Sequence, residues 1–586
     1  MKENGMTDKL KSLREWLDGE NLDGFLIPRG DCFSGEEVPA SEERLAYITG
    51  FTGSAGTAIV TSEHAALFSD GRYTLQMQNQ TSEDWATFTV PATSPNEWIK
   101  ANLTGGKLGF DPWLMTVSQY RGYEDALSAK GITFEPVATN PIDLIWTGQP
   151  LPPSSKAWDF SLSIAGLGRA EKIHLAIKTM RDIDPAASAM VISDPASLAW
   201  LLNIRGGDLA HTPVVLAFAL LDISGEVTIF TTSERFDAVD QENLSFVDQA
   251  RLGETLSGLA DKVVIDPASC PMAIRQMLGG KVLEMALPMV AMKAEKTKEE
   301  AAGFRAAHKR DAVAMIRFLA WFDDTLAQRQ LRETEVADKL IEFRRQEDGF
   351  LSPSFSSICG SGANGAIVHY RAEPGTDQII PKDNLCLIDS GGQYHDATTD
   401  ITRTVSTGES SIEMAEAYTH VLRAHIALDM ARFPHGTTGM QLDAITRAPL
   451  WQQGMDYDHG TGHGVGCCLG VHEGPASISK RGAAAIRSGM VLSNEPGFYR
   501  QGSFGIRTEN LVLVIESGDG NLEFEALTLV PFDRRLIRTE LMSEAEMSWV
   551  DAYHDRVRQE ITPLIATRGD DKAQAWLEKF AAPLSR

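Results

Sequence analysis

Five residues in the second half of the chain have the side chains of metal ligands. They are four carboxylates and one imidazole, in the order Asp389, Asp400, His463, Glu495 and Glu509. Such oxygen-rich ligands suit hard divalent ions, and bridging carboxylates suit two ions rather than one. Four carboxylates also balance the charge of two dications. The set contains no thiolate, which excludes a structural zinc site of the usual cysteine type.

Two motifs carry the first three of these residues. The segment Asn384–Val405 has an apolar run, a glycine pair and a threonine-rich run, a pattern that predicts a β-hairpin. Taken singly, Asp389 is also consistent with the start of an Asx-turn and Asp400 with a solvent-facing position. The segment His459–Gly466 (HGTGHGVG) predicts a site loop or a strand, because each glycine would cost a helix about 1 kcal/mol. A histidine-bearing surface loop is the alternative for that motif alone.

Three further motifs follow in order. VHEGP contains His472, and LSNEPGF contains Glu495. The segment Gly505–Ile515 (GIRTENLVLVI) alternates as a strand, which would place Arg507 and Glu509 on one face. The motifs together therefore bring carboxylates, imidazoles and one guanidinium into a single stretch of the chain.

The part of the chain before these motifs predicts two α/β units. An apolar strand pattern lies at Leu22–Pro28, a second apolar run with glycine breaks lies at Leu45–Val60, and Thr147–Trp158 is a polar, proline-rich linker. The segment Ser188–Leu221 repeats the order of strand, turn, helix, glycines and strand, which favours a second copy of the first unit. With 586 residues, several domains are expected. We predict three of them, at residues 1–155, 156–294 and 295–586.

The third domain should open on a charged, amphipathic helix. Its apolar residues recur at steps of three and four, at Ala312, Met315, Leu319 and Phe322. A second helix is expected after Thr334, a candidate N-cap, with an inner face of Val336, Leu340 and Phe343.

Composition and charge narrow the classes of function. The net charge of −26 would repel phosphates, which argues against a nucleic-acid partner. Six scattered cysteines without a CxxC pair fit reduced thiols of a cytoplasmic protein. The N-terminus has no apolar signal region, and the apolar stretch Val214–Leu221 is too short to span a membrane. We therefore expect a soluble, cytoplasmic protein without a membrane partner.

The ordered set of motifs resembles a known family, the creatinase/methionine-aminopeptidase (pita-bread, M24) peptidases. Within that family the chain is similar to the cytosolic three-domain aminopeptidases P. The resemblance rests on IVHYRA, DSGGQYHDATTDITRT, HGTGHGVG, VHEGP, NEPGFY and GIRTEN, and it extends over essentially the whole chain. It implies an α/β and α+β multidomain fold, with two creatinase N-terminal-like α/β domains before a pita-bread catalytic domain with a C-terminal extension.

The resemblance also implies roles for individual residues. The five ligands carry over without substitution, and Glu495 would act both as a ligand and as the group that moves the proton. His369 and His459 would surround the substrate's proline and its carbonyl. His472 would hydrogen-bond the scissile carbonyl or the oxyanion that develops from it. Arg507 would orient the metal-bound carboxylates from behind.

The implied reaction is release of the N-terminal residue from short peptides with proline in second position. A hydroxide bridging two divalent ions per subunit would attack the carbonyl. The family suggests manganese, with zinc or cobalt as alternatives, and a homodimer. Arg371 follows the HY pair where other members vary, so the preference for residues beyond proline stays open.

Three alternatives remain at this point. A prolidase uses the same five ligands on Xaa-Pro dipeptides, and the long N-terminal part of this chain argues against it. A non-catalytic pita-bread protein used for binding loses metal ligands, which this chain keeps. A creatinase-like amidinohydrolase also lacks the metal set.

Overall fold

The fold was analysed in a computed structural model that describes residues 2–584, apart from the side chains of residues 2–7 and Leu75. The first part of the chain alternates short helices and strands, as its apolar runs predict. Its elements are α1 (Lys2–Gly19), β1 (Gly24–Pro28), α2 (Arg44–Thr49), β2 (Thr57–Thr61), β3 (Ala65–Asp70), α3 (Thr74–Gln80), β4 (Ala86–Val90), α4 (Pro95–Asn102), β5 (Gly106–Phe110), α5 (Val117–Ser128), β6 (Ile132–Pro136) and α6 (Pro141–Ile145).

The next part of the chain repeats this alternation. Its elements are β7 (Trp158–Asp159), α7 (Leu162–Ala165), α8 (Arg169–Ile183), β8 (Ala187–Ile192), α9 (Pro195–Leu202), β9 (Ile204–Arg205), β10 (Phe218–Asp222), β11 (Val227–Phe230), β12 (Leu244–Val247), α10 (Leu252–Gly258), β13 (Lys262–Ile265), α11 (Met272–Leu278), β14 (Val282–Glu284) and α12 (Pro288–Ala294).

The two parts each build a six-stranded mixed sheet with the same topology. The strand orders are β4-β3-β2-β1-β5-β6 and β12-β11-β10-β8-β13-β14. In both sheets the first three strands along the chain pair antiparallel, and the outer pairs are parallel. The predicted repeat is therefore present at the level of topology.

The last part of the chain has longer helices and shorter strands. Its elements are α13 (Lys298–Leu326), α14 (Glu333–Arg344), β15 (Phe350–Pro353), β16 (Ile358–Ser361), β17 (Leu385–Ser390), β18 (Gly392–Tyr394), β19 (Ala397–Thr398), β20 (Ile401–Ser406), α15 (Ile412–Asp429), α16 (Gly439–Trp451), β21 (Gly462–Gly464), β22 (Glu473–Ile478), β23 (Val491–Asn494), β24 (Gly497–Arg500), β25 (Phe504–Arg507), β26 (Asn510–Glu516), β27 (Leu522–Ala526), α17 (Glu544–Thr567) and α18 (Asp571–Phe580).

By contacts the chain divides into two compact units. The first comprises residues 1–160, 167–209 and 214–289, so it holds both six-stranded sheets. The second comprises residues 161–166, 210–213 and 290–586. The predicted division of the N-terminal half at residues 155 and 156 stays a prediction. Among the described residues, no helix combines the length and the apolarity needed to cross a bilayer.

The helix α13 forms where its pattern predicts and builds the core of the second unit. Thr297 and Glu300 form a capping box at its start. Its predicted inner face is buried, at Ala312, Met315, Leu319 and Phe322. The cap predicted for α14 is wrong, because α14 begins at Glu333 and the hydroxyl of Thr334 instead donates to Oδ2 of Asp377 at 2.7 Å.

The predicted hairpin forms, with an inner turn of its own. β17 pairs antiparallel with β20, and the short strands β18 and β19 pair between them. Gly391 lies at the break, where a Cβ atom would come within 2.0 Å of the carbonyl oxygen of Thr399. Only glycine fits there, which explains the glycine pair in the sequence.

The single strand predicted over Gly505–Ile515 is in fact two. β25 pairs with β24, whereas β26 pairs with β23 and β27, so the chain changes sheets at Thr508–Glu509. The backbone N–H of Glu509 donates to the carbonyl of Thr402 at 3.1 Å instead of extending either ladder. This break turns Glu509 toward the hairpin that carries the aspartates.

Candidate metal centre

The hairpin β17–β20 supplies both aspartates of the site. Asp389 lies near the end of β17 and faces Thr402 of β20 across the ladder. Asp400 immediately precedes β20. Both side chains are buried, at 8% and 4% exposure. The register of one hairpin therefore brings together two carboxylates that are separate in the sequence.

His463 occupies the middle of the short strand β21. Close approach of other strands explains its glycine neighbours, because a Cβ at Gly462 would lie 2.0 Å from the carbonyl of Ser493. The Nδ1 atom of His463 lies 3.0 Å from the carbonyl of Gly464. With Nδ1 occupied in this way, Nε2 is the nitrogen available to a metal.

The two glutamates come from the ends of neighbouring strands. Glu495 follows β23, and its backbone N–H donates to the carbonyl of Thr461 at 2.8 Å. Glu509 precedes β26, and its Oε2 accepts the hydroxyl of Thr402 at 2.7 Å. The Thr402 backbone and side chain thus hold Glu509 against the hairpin.

The predicted ligands meet in one place. Asp400, His463 and Glu509 each offer a ligand atom, and these atoms lie within 4.8 Å of one another. Nε2 of His463 is 3.6 Å from Oδ2 of Asp400 and 3.6 Å from Oε1 of Glu495. Asp389 belongs to the same charge cluster, because its carboxylate raises the pKa of Asp400, Glu495 and Glu509.

The cluster has an excess of buried negative charge. Burial raises the pKa of Asp400 and of Glu509, and the neighbouring carboxylates raise both further. Burial also raises the pKa of Glu495 to about 7. The carboxylates also repel one another, and a cation between them would offset this repulsion.

The donor set fits divalent cations. Oδ1 of Asp389 and Oδ1 of Asp400 are buried and have no hydrogen-bond partner among the described residues. Native proteins rarely leave buried carboxylate oxygens without a partner, so these atoms indicate an ion. Four carboxylates and one imidazole provide the oxygen-rich donors that Mn²⁺ and similar ions accept.

Arg507 connects the ligands to the residues around them. Its Nη2 donates to Oδ2 of Asp389 at 2.6 Å, and its Nη1 donates to the hydroxyl of Tyr499 at 2.7 Å. Its Nε also donates to the hydroxyl of Thr402 at 3.2 Å. The guanidinium is buried at 2% exposure, so it fixes the orientation of Asp389 from behind the cluster.

Of the three predicted substrate histidines, His472 contacts a ligand directly, whereas His459 is linked to the cluster through Tyr499. The rings of His472 and His463 meet edge to face, with centroids 4.2 Å apart. Nε2 of His459 lies 2.8 Å from the hydroxyl of Tyr499, and Nδ1 lies 2.7 Å from the carbonyl of Gly460. His369 follows Val368, whose carbonyl accepts a 3.5 Å hydrogen bond from Arg507.

Tyr499 and Thr402 are two site residues for which the sequence alone predicted no role. Tyr499 joins His459 to Arg507, and burial raises its pKa to about 12, so its hydroxyl stays protonated. It lies in the NEPGFY motif four residues after Glu495, a position that could have drawn attention to it. Thr402 could have been found from the predicted hairpin, in which it pairs with Asp389.

Comparison with known proteins identifies the family. The profile described as "Metallopeptidase family M24" matches residues 302–516, and "Creatinase/Prolidase N-terminal domain" profiles match residues 9–143 and 148–300. The profile "C-terminal region of peptidase_M24" matches residues 520–584. A curated relative, "Aminopeptidase P2" of Arabidopsis thaliana, is 36% identical over 99% of this chain and 89% of its own. The chain belongs to the Xaa-Pro aminopeptidase P family of M24 metallopeptidases.

Other members of this aminopeptidase P family agree over the full length. "Probable Xaa-Pro aminopeptidase P" of Laccaria bicolor is 37% identical over 99% of this chain and 94% of its own. A crystal structure of X-prolyl aminopeptidase from Caenorhabditis elegans superposes with a TM-score of 0.95 at 29% identity. It covers 99% of this chain and all of the worm chain, and it is described as a cytosolic enzyme with a di-nuclear active site. The predicted fold class and family are confirmed.

Proposed function

We propose that this protein is a metal-dependent aminopeptidase that releases the N-terminal residue of peptides whose second residue is proline. One observation carries the proposal. An Asp-Asp-His-Glu-Glu cluster with orphaned carboxylate oxygens lies beside His472, in a chain of the Xaa-Pro aminopeptidase P family. Short peptides with an Xaa-Pro N-terminus are the proposed substrates.

Two divalent ions are the proposed cofactor. Asp389, Asp400, His463, Glu495 and Glu509 would hold them, and manganese is the proposed ion, with zinc or cobalt as alternatives. When bound, the ions would lower the pKa of a shared water and so supply the hydroxide for attack on the carbonyl. The worm structure, described as having a di-nuclear active site, supports two ions rather than one.

Glu495 is the proposed proton carrier. Its Oε1 lies 3.6 Å from Nε2 of His463, so its carboxyl group stands inside the ligand cluster. A carboxyl group within hydrogen-bond reach of the attacking water suits general acid–base work. The leaving group is the ring nitrogen of proline, which carries no N–H and must be protonated to depart. Glu495 would take a proton from the attacking water and return it to that nitrogen.

His472 is the proposed donor to the scissile carbonyl. Its side chain is exposed beside the ring of His463, so a substrate can reach it. A donor aimed at a developing oxyanion contributes about 2.7–4 kcal/mol to the transition state.

His369 and His459 are the proposed contacts to the proline side of the substrate. Both ring nitrogens of His459 are engaged, by Gly460 and by Tyr499. His459 would therefore contribute the surface of its ring to the pocket rather than a hydrogen bond. His369 would supply the polar contact. Arg507 donates to the carbonyl of Val368 and to the carboxylate of Asp389. It would therefore fix the position of this pocket relative to the metal cluster.

Cellular setting and assembly are proposals as well. We place the enzyme in the cytoplasm, as the worm relative is described as cytosolic. We propose a homodimer, with neither nucleic acid nor membrane as a partner. The three-domain division at residues 155/156 and 294/295 belongs to the same proposal.

A substrate panel tests the function. Purified protein loaded with Mn²⁺ would be given Xaa-Pro-Xaa tripeptides, Xaa-Ala-Xaa tripeptides and Xaa-Pro dipeptides, and release of the first residue would be followed by mass spectrometry. We expect cleavage of the proline tripeptides and little cleavage of the alanine series. A preference for the dipeptides would instead identify a prolidase. The Asp400→Ala variant is the control for contaminating peptidases.

A further inference from the structure

The segment from Ser361 to Gln378 carries His369 and is tied to one buried carboxylate, that of Glu333. Ser361 ends β16, and Gln378 lies just before Ile380, whose backbone N–H donates to the carbonyl of Leu331. Glu333 opens α14 and has 0% exposure.

Six donor groups converge on the two oxygens of Glu333. Oε1 accepts the backbone N–H and the hydroxyl of Ser361, each at 2.8 Å. The amide of Asn364 lies 3.0 Å from Oε2 and 3.2 Å from Oε1. Oε2 accepts the hydroxyl of Tyr370 at 2.8 Å and the backbone N–H of Gln378 at 3.1 Å. The side-chain amide of Gln378 lies 3.3 Å from Oε1.

A carboxylate is the group that can collect all of these donors. Both of its oxygens accept, whereas an amide offers one accepting oxygen and turns an NH₂ group toward the remaining donors. The position in the first turn of α14 also favours a negative charge. None of the six donors is itself charged. All of these hydrogen bonds to the buried carboxylate of Glu333 therefore come from one segment of the chain, residues 361–378.

His369 is held from both sides. Behind it, the carbonyl of Val368 accepts from Arg507, which also binds Asp389. Ahead of it, Tyr370 donates to Glu333. Burial and the bond to Glu333 raise the pKa of Tyr370, so this phenol remains a donor.

The end of the segment has a second anchor on the same helix start. Asp377 accepts Nε of Arg332 at 3.0 Å and Nη2 of Arg332 at 2.9 Å. Its Oδ2 also accepts the hydroxyl of Thr334. Three consecutive residues at the beginning of α14 thus fix the segment that bears His369.

We propose that Glu333 is a positioning residue for substrate binding, which acts by holding Tyr370 and thereby the adjacent His369 in place for the proline side of the peptide. This inference rests on the proposed function, because it takes His369 as a substrate contact. Glu333 itself touches neither the metal ligands nor the reacting bond. Its effect should therefore appear in KM rather than in kcat.

The test is a kinetic double-mutant cycle on one Xaa-Pro-Xaa peptide with Mn²⁺-loaded protein. We expect Glu333→Gln to raise KM by about tenfold or more, the effect of one lost hydrogen bond to a charged group, with kcat changed less than about threefold. In the His369→Ala background the same substitution should add almost nothing to KM, since the two residues act in series. Additive effects on KM would overturn the proposal.

Two further variants keep the test decisive. Tyr370→Phe removes only the 2.8 Å bond to Glu333, and we expect KM to rise about three- to tenfold. This variant decides the question if Glu333→Gln does not fold, and an unchanged KM would overturn the proposal. The matched control is Glu347→Gln, a buried carboxylate near the same helix that binds Arg568 at 2.6 Å instead of this segment, and its KM should stay at the wild-type value.

Wild-type activity separates failure of this inference from failure of the proposed function. If wild-type protein cleaves no Xaa-Pro peptide, the proposed function fails. If it does cleave such peptides and both Glu333→Gln and Tyr370→Phe leave KM unchanged, only the role of Glu333 fails. If Glu333→Gln raises KM while His369→Ala does not, the substitution acts through another group, and the proposal is overturned.

Discussion

Among single residues, the most informative are the ligand carboxylates, because the protein's own cations do not neutralise their combined negative charge. Arg507 is the one guanidinium that the described residues bring into direct contact with a ligand carboxylate, at Asp389. Asp400 and Glu509 keep a raised pKa despite it. The free energy of placing these groups together therefore depends on the cations they bind.

Metal removal should be measurable without any substrate. We expect chelation to abolish activity and to lower the melting temperature, because ions that bind only the folded state stabilise it. Asp400→Ala and Glu509→Ala should each lower the bound metal measured by mass spectrometry and reduce kcat/KM by at least about 100-fold. The control is Asp396→Asn, in the same hairpin but paired with Arg310. Full activity in a metal-free preparation would contradict the proposed chemistry.

Two histidines should separate transition-state stabilisation from binding. If His472 donates to the developing oxyanion, His472→Ala should lower kcat and kcat/KM together, by about 100-fold. If His369 contacts the substrate equally in both states, His369→Ala should raise KM and leave kcat nearly unchanged. Steady-state kinetics at equal metal content gives the answer. The reverse pattern would mean that the two roles are exchanged.

At the scale of elements, sequence patterns predicted those parts of the site that depend on local rules. The hairpin around Asp389 and Asp400 followed from β-branched residues and a glycine pair, and α13 followed from its apolar spacing. The break at Thr508–Glu509 did not follow, since strand alternation continues through it and only pairing with different sheets reveals it. Strand propensity and hydrophobic periodicity are properties of one segment, whereas the sheet that a strand joins depends on the strands beside it.

Residues that act through long-range contacts were the ones missed. Thr402 contacts Glu509 and Glu333 contacts Tyr370, across sequence separations of 107 and 37 residues. No periodicity records such a pairing. The family resemblance supplied the ligand set, but it did not indicate which neutral side chains hold that set in place. Geometry was needed for these supporting residues.

Asp429, at the C-terminal end of α15, has a carboxylate whose charged form is destabilised by burial in the folded protein. Burial raises the pKa of Asp429 to about 6, although the indole of Trp549 donates to its Oδ2 at 2.9 Å. A carboxylate at the last turn of a helix also opposes the helix dipole. The folded state thus binds a proton more tightly than the unfolded state, whose aspartate pKa is about 3.9.

Asp429→Asn should therefore stabilise the protein above about pH 4, where the unfolded aspartate ionises, and most strongly above the folded pKa of about 6. The unfavourable contribution of Asp429 is absent below pH 4 and is complete above pH 6, so the gain should approach about 3 kcal/mol at pH 8 and vanish toward pH 4. Thermal melting across this pH range measures it. The exposed Asp338→Asn on α14 is the control and should change stability by less than about 0.5 kcal/mol. A gain that did not depend on pH would contradict the argument.

At the scale of the whole molecule, the N-terminal half is built twice on one plan. Both six-stranded sheets have the same strand order and the same mixture of parallel and antiparallel pairs. The two matches to the creatinase/prolidase N-terminal profile agree with this repeat. The order of strands and helices predicted from the sequence was enough to predict the repeat, because that order is the same in both halves although their sequence identity is low.

The proposed homodimer has a candidate surface on α16. Three large apolar side chains of this helix, Met440, Ile445 and Trp451, are 48%, 44% and 48% exposed, and we propose that a partner subunit covers Trp451. We expect Trp451→Glu to raise the dimer dissociation constant by at least about 30-fold in analytical ultracentrifugation. Ile183→Glu, which changes an exposed residue of α8, should not affect it. A wild-type monomer at micromolar concentration would contradict the homodimer.

The spread of the ligands over the chain has a consequence for biosynthesis. Asp389 lies on β17 and Glu509 immediately precedes β26, so the complete site requires the chain between them. A nascent chain that has not yet extended past Glu509 can form the hairpin but lacks the last ligand. Such a fragment offers at most four of the five ligand residues. We therefore expect the complete site to bind its ions only after synthesis has passed Glu509.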